Sequence, residues 1–598
     1  MEQGIPERSQ IPKKDQWDLS ALFSSPEQWE EEYKKLDEYI SKSASYQGTL
    51  GLSARALRSC LDFLNEAGLL YERLHAYAFL TYTEDAGSSE HQARVGKISQ
   101  AGARLSAALS FVEPEILSIP EQQMEQMLKD PLLEPFRIKL HKILVFRPHT
   151  LSEDQERILA LQSDTVDTPS NAFEALTNVD IDFGSVETDE GDKPLSQSTL
   201  SSFLLDTRRD VRKRAYHQFY QAFDQHKHTL SALYIGSVKQ DAYQAQVRGF
   251  SSSRAKALFP DQVDESVYDT LIDTVKDGLD ELHRYYKLKT QAGGLDEVRH
   301  YDVYIPFRSD VSTHYTFEQA VDTVCEALYP LGEEYTETLK DGLLGGWVDR
   351  YENRGKRSGA FSAGTYAGDP YILMNYKEHV LRDVFTLAHE GGHSMHSWYS
   401  TRFNPFQHYS YTIFEAEVAS TFNEQLLASY LLKQADSPAM QAYIIGKQLD
   451  DIAATLYRQV MFADFEHQIH RLYESGTPLT TELLRRTYRS LLDEYLQPVA
   501  LEEVSDLEGL RIPHFYRAYY VYKYATGISA AIDLSRKVME GGGEERDEYL
   551  AFLKSGGSKF PMESLKEAGV DMSSPEPVRR AIAEFSRLLD RMESLLAD

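Results

Sequence analysis

Two cysteines, Cys60 and Cys325, are all that 598 residues contain. They lie far apart, each in an apolar-periodic segment with no second thiol nearby, which argues against a disulfide framework, a cysteine metal cage or a dithiol redox centre. Long hydrophobic runs are missing as well: nowhere is there an apolar stretch of about 18 residues, the length a membrane-spanning helix requires. The segment from Met1 to Leu22 is polar, carries Pro6 and Pro12, and lacks an apolar core of signal-peptide length. A cytoplasmic protein with no membrane partner is expected. Basic residues are also short, 63 Lys and Arg against 93 Asp and Glu, for a formal net charge of −30. That balance disfavours nucleic acid or an anionic membrane as partner. The one basic cluster, Arg208, Arg209, Arg212, Lys213 and Arg214, is interleaved with Asp206 and Asp210 and reads as a solvated, ion-paired helix face. No fixed-period repeat is visible, and nothing signals an oligomeric state.

What the chain does have is helical periodicity. Ser25 reads as an N-cap with Pro26 in the first turn, and Trp29, Tyr33, Leu36 and Ile40 continue an apolar stripe. Long helices are predicted over 53–83, 89–116, 209–248, 264–291 and 431–475. Strand candidates are few: 179–183, 301–304, 359–363 and 372–376. The stretch from Gly184 to Pro194, rich in Asp, Glu and Gly, is the best linker. It divides an N-terminal helical region, 1–190, from a catalytic region, 191–598.

The chemistry concentrates in Phe385-Thr-Leu-Ala-His389-Glu390-Gly-Gly-His393-Ser-Met-His396. Positions four apart on a helix share a face one turn apart, so His389 and His393 can present their imidazoles to one ion. Glu390, offset by roughly 100°, can stand beside a metal-bound water as a general base without being a ligand. Val380, Val384, Leu387, Met395 and Trp398 fall near a 3.6-residue stripe, which supports the helix. Gly391 and Gly392 oppose it, each costing about 1 kcal/mol relative to alanine. Glycines kept at that cost predict the close approach of another backbone or a ligand.

A catalytic zinc takes three protein ligands and leaves one position open. His396 is the nearest third candidate, but its Cα lies roughly 10 Å along the axis from that of His389, too far for three imidazoles to meet on a straight helix. Its expected place is hydrogen bonding behind the ligands or in the cleft. Downstream, Ile413-Phe-Glu415-Ala-Glu417-Val-Ala-Ser-Thr-Phe-Asn-Glu424 offers three carboxylates on a second apolar-periodic segment. Periodicity does not choose among Glu415, Glu417 and Glu424. Upstream, Tyr371–Tyr376 reads as a strand bounded by Gly368-Asp-Pro370. It is compatible with an edge that aligns an extended peptide and equally with a buried hairpin under the helix. The tyrosines around 516–524 read first as core aromatics at helical spacing.

The run His-Glu-Gly-Gly-His-Ser-Met-His, followed by Phe414-Glu-Ala-Glu417-Val-Ala-Ser, resembles the thimet oligopeptidase family, most closely its bacterial oligoendopeptidase F branch. The likeness extends to Ser358–Gly364, Pro370–Tyr376 and His514–Gly527, and covers roughly 200 to 590. It implies a mainly α, two-lobed helical zinc-peptidase fold with a deep central channel and a small β element beside the metal helix. It also implies Glu417 as third zinc ligand with His389 and His393, and Tyr519, Tyr522 and His514 as contacts to the transition state or substrate. Phenol and imidazole donors suit the oxyanion that peptide hydrolysis creates. The expected activity is that of a zinc endopeptidase taking short unstructured oligopeptides, with one divalent ion per chain. An aminopeptidase with the same ligands is the rival enzyme, against which stands the lack of a Gly-Ala-Met-Glu-Asn-like segment. A non-catalytic helical scaffold is the rival outside catalysis.

Overall fold

The apolar stripes find their partners in two compact units, seen in a computed structural model that describes residues 5–189, 191–308, 311 and 313–597. The first unit gathers Met1–Glu153, Ser312–Tyr430 and Leu534–Gly569; the second gathers Asp154–Val311, Leu431–Asp533 and Val570–Asp598. Both are mainly helical. No helix among the described residues is long and apolar enough to cross a membrane.

In the first unit, helices Pro26–Ser43, Ala54–Glu84 and Ser89–Leu109 pack side by side. Ser25 caps the first of these, accepting from Gln28 N at 3.3 Å, with Pro26 at its start as the sequence predicts. The core they enclose includes Trp29, Leu36, Leu74, Leu80 and Ile98, joined by Tyr371 and Leu373 from a small sheet. Its strands run in the order Val348–Asp349, Tyr371–Leu373, Phe361–Ala363; the first pair is parallel and the second antiparallel, with Ser362 opposite Ile372. The segment at Tyr371, compatible by sequence with an edge or with a buried hairpin, is the fully buried central strand. Phe361–Ala363 is the edge, and it lies against the helix Leu381–Phe403 that carries the histidines. Helix Gly543–Ser555 covers the same helix.

The second unit contains Arg209–Gln225, Lys227–Val247, Glu265–Asp277, Leu279–Ala292, Pro438–Ile452, Arg458–Glu474, Thr481–Tyr495 and Glu576–Ala597. Several predicted helices prove to be two. The 209–248 stripe breaks at His226, and 264–291 breaks at Gly278, where an added Cβ would meet Ile582 Cδ1 at 2.8 Å. The predicted 431–475 helix restarts at Pro438, whose preceding Ser437 accepts from Met440 N at 3.2 Å, and then passes through a π turn at Ala453–Tyr457. The expected linker is an antiparallel hairpin, Ser185–Thr188 with Gly191–Pro194, turned by Gly191 at φ +99° and anchored by buried Val186. Two strand candidates fail for local reasons. Residues 176–180 continue the preceding helix as a π turn, and His300–Asp302 forms a 3₁₀ turn in which Asp302 is held by Arg209 and Arg212.

Candidate metal centre

The histidine helix Leu381–Phe403 starts after Val380, with Asp383 in its first turn accepting from Lys377 N at 2.8 Å. It ends at Asn404, whose side chain donates to the Ser400 carbonyl at 3.0 Å. The next helix, Ile413–Gln434, crosses it at Gly392. An alanine Cβ there would stand 2.6 Å from the Ala419 carbonyl oxygen and 2.7 Å from Ser420 Cα, so the predicted close approach is backbone against backbone. Glycine is required by contact rather than by conformation. At Gly391 the neighbour is instead the Leu339 side chain, at 3.3 Å.

That crossing brings Glu417 to the histidines. Ligating atoms of His389, His393 and Glu417 all lie within 4.8 Å of one another, with His389 Nε2 3.8 Å from Glu417 Oε2. The remaining nitrogens are anchored from behind. His389 Nδ1 meets Glu424 Oε1 at 2.5 Å, and the His393 imidazole bonds to the Ala416 carbonyl. Metal-binding histidines characteristically place their second nitrogen on a carboxylate or carbonyl in this way, which fixes the tautomer and aims the free lone pair. Two imidazoles and a carboxylate, so oriented, fit a catalytic zinc.

The three carboxylates left open by periodicity thus have different surroundings. Glu415, buried, accepts from Thr412 N and Oγ1, each at 3.2 Å, at the start of its own helix. Glu417 faces the histidines. Glu424, seven residues and about two turns further on, supports His389. Its role was missed by sequence reasoning, although the i+7 spacing from Glu417 puts both on one face. Tyr411 was missed too: its ring stacks on His396 with centroids 3.6 Å apart, and its hydroxyl pairs with Ser397 Oγ at 2.8 Å. His396 itself is buried and stands apart from the donor set; burial drives its pKa down to about 3, so it is a neutral packing group.

Glu390 is 7% exposed and accepts a hydrogen bond from the Ser362 backbone on the edge strand. Burial raises its pKa most, and with the Glu417 and Glu424 charges outweighs His389 to bring it to about 7. His389 is pulled down by burial but lifted further by Glu424, Glu390 and Glu417, to about 9; His393 is held well below its ordinary range by burial and by its histidine neighbours. A carboxylate crowd around one imidazole is an electrostatic demand for a cation.

His514, Tyr519 and Tyr522 belong to the second unit. Half-buried His514 sits in the 3₁₀ turn Pro513–Tyr516, its ring parallel to that of Tyr520 and its Nε2 3.5 Å from the Tyr524 hydroxyl. Tyr519 is buried at φ +55°, rare for a residue with a Cβ, and its backbone N–H donates to Glu466 Oε1 at 2.8 Å. Its hydroxyl lies 3.4 Å from His467 Nδ1. Tyr522, fully buried, opens the helix Tyr522–Glu540 and packs with Tyr519 around Tyr268.

Known proteins with these features converge. Peptidase family M3 matches residues 202–584, and the Oligopeptidase F family matches 115–183. Oligopeptidase PepF of Bacillus subtilis is 40% identical over 595 residues, 99% of this chain and 89% of the relative. A solved peptidase structure from Chlamydophila abortus superposes with a TM-score of 0.91 at 37% identity, over 99% of this chain and 100% of that one. The crystal structure of oligoendopeptidase-F from Enterococcus faecium gives 0.75 at 33% identity, over 96% and 99%. With a mainly helical fold, a His-His-Glu donor set on two crossing helices and likeness along its whole length, the chain belongs to peptidase family M3 and is of the oligoendopeptidase F type.

Proposed function

We propose that the chain is a zinc-dependent endopeptidase that hydrolyses internal bonds of short, unstructured oligopeptides. The observation that carries this reading is the donor set His389, His393 and Glu417, its two imidazoles anchored from behind by Glu424 and the Ala416 carbonyl. When bound, zinc supplies Lewis acidity toward a water and the scissile carbonyl oxygen.

The protein's own part is proton handling and alignment. Glu390 takes the proton from the attacking water at its carboxylate and delivers it to the leaving amine. Its burial beside the donor set suits a group that must both accept and release a proton. The edge strand Phe361–Ala363 runs beside this carboxylate, and an extended peptide added to it aligns a main-chain bond without reading much side-chain identity. The relatives' names, oligopeptidase and oligoendopeptidase, support oligopeptides as the substrate class. His514, Tyr519 and Tyr522 are put forward as donors toward the developing oxyanion. Burial holds both phenols well above their ordinary range, so they stay protonated, and it lowers His514, which leaves a neutral imidazole with one N–H.

The test is Glu390→Gln beside wild type on an N-terminally blocked, internally quenched peptide, with zinc measured in both. Retained zinc with turnover reduced by about 10³-fold or more is expected from loss of the base alone. Substantial residual turnover overturns the mechanism. Failure of the wild type to cut blocked peptides overturns the endopeptidase reading.

A further inference from the structure

The second unit encloses a cavity of about 270 Å³ that uses none of the motif residues. Its lining includes Leu282, Tyr286, Met461 and Tyr495 and two charged groups, Arg458 with Tyr304, His300 and Glu508, and Lys289 with Asp450 and Asp451. Around Lys289 charges cancel: its Nζ meets Asp450 Oδ1 at 2.8 Å, and Asp451, which also lines the cavity, is paired with Lys447. Around Arg458 they do not. Arg458 and Arg511, the latter outside the lining, share the carboxylate of Glu508, which leaves one positive charge in excess. His300 does not alter this balance: burial brings its pKa down to about 4, so it is neutral near pH 7. Burial also raises Glu508, but Arg458, His300 and Arg511 outweigh it and hold the carboxylate ionised, at about 2.

Arg458 is positioned by an irregularity. It follows immediately on the π turn Ala453–Tyr457, whose Ala453 and Ala454 also line the cavity. Such turns interrupt a helix at an energetic cost and concentrate at functional sites. The guanidinium donates to Tyr304 Oη at 2.6 Å, yet the side chain remains 26% exposed. A planar cation of this kind suits a carboxylate, to which it can present two N–H groups. The volume lies just under the range typical of drug-sized ligands, and the opposing walls are apolar and aromatic.

We infer that this cavity is a binding site for a small organic carboxylate with an apolar body, its anionic end on Arg458 and its body against Leu282, Met461 and Tyr495. The inference does not depend on the peptidase reading, and its test measures binding rather than turnover. Calorimetric titration of the full chain uses 4-methylpentanoate as probe, with leucinamide as a control of similar shape that lacks the carboxylate. Saturable binding of the acid is expected, none of the amide, and at least a tenfold loss of affinity in Arg458→Lys. Should that variant not fold, Ala454→Leu, at an exposed helix position on the cavity wall, carries the test with the same expected loss. Leucine binding alongside the acid identifies free amino acids as the source, and glycylleucine binding identifies peptide C-termini; each supports the site. No binding of the acid up to about 50 mM, where a millimolar ligand would saturate, equal binding of leucinamide, or undiminished affinity in Ala454→Leu overturns it.

Discussion

Replacing Gly392 with alanine adds one methyl group at the crossing of the two helices that hold the proposed metal ligands. That carbon would lie 2.6 Å from the Ala419 carbonyl oxygen, whereas ordinary contact begins at 3.4 Å, so the backbones must part by about 0.8 Å. The obstacle is main chain, which has no rotamer to yield. Overpacking of this kind costs about 1–3 kcal/mol, and the gain in helix propensity returns about 1 kcal/mol, so global stability moves little. Position suffers more. Glu417 lies two residues before Ala419 on the displaced helix, and a misplacement near 1 Å at a catalytic constellation costs on the order of 10²-fold in rate. Gly392→Ala should therefore lose about 10²-fold in kcat/KM and release zinc more readily to a chelator, while the circular dichroism spectrum stays unchanged. Gly391→Ala is the internal control: its Cβ meets the Leu339 side chain at 3.3 Å, and that side chain can turn aside. If Gly392→Ala keeps zinc as tightly as Gly391→Ala and stays within about threefold of wild-type kcat/KM, the crossing does not set the ligand geometry and the reasoning fails.

Glu424→Gln should weaken zinc binding by roughly 10- to 100-fold through loss of the carboxylate behind His389, measured by competition with a chromophoric chelator, while Glu415→Gln leaves zinc affinity unchanged. Glu466, buried with its pKa raised to about 8 chiefly by burial, holds a proton in the folded state that the unfolded chain releases near pH 4.3. Its contribution is fully present below that lower value and is lost as pH rises through about 8, so wild-type melting temperature should fall relative to Glu466→Gln between pH 5 and pH 8.5. Parallel melting curves for the two proteins across that window refute it. Gly278→Ala should destabilise the second unit by about 1–3 kcal/mol, because its Cβ meets Ile582 at 2.8 Å; an unchanged denaturation midpoint contradicts this.

The histidine helix was legible because its signals are local: a period near 3.6, a four-residue ligand spacing and no proline from Tyr371 to Asn404. The third ligand was not legible from pattern, since the choice among Glu415, Glu417 and Glu424 depends on how one helix is rotated against another. Resemblance named Glu417, and the crossing at Gly392 supplies the physical reason it faces the histidines. The breaks at His226 and Gly278 were hidden because the apolar stripe runs through them without a phase change, and what stops each helix is a neighbour distant in sequence or a local turn. The hairpin at Ser185–Pro194 was not legible because Asp, Glu and Gly favour tight turns as much as open coil, and a buried Val186 was enough to pin it. At Tyr371 an apolar strand beside the metal helix was foreseen, but whether it was edge or buried was left open, because that depended on pairing with Val348–Asp349.

The first unit is stitched from three separated stretches of chain, and this sets a timetable for synthesis. The motif histidines and Glu417 leave the ribosome more than 120 residues before helix Gly543–Ser555. Yet that late helix supplies Phe552, whose ring lies 5.4 Å from His396, and Tyr549, stacked 3.8 Å from Phe422 between Glu417 and Glu424 in sequence. A nascent chain therefore carries the proposed metal ligands for a long interval without the wall that braces their helices. The loop to be closed spans the intervening sequence and costs entropy before its contacts return anything. A peptidase assembled in this order gains that bracing only after helix Gly543–Ser555 has emerged and docked.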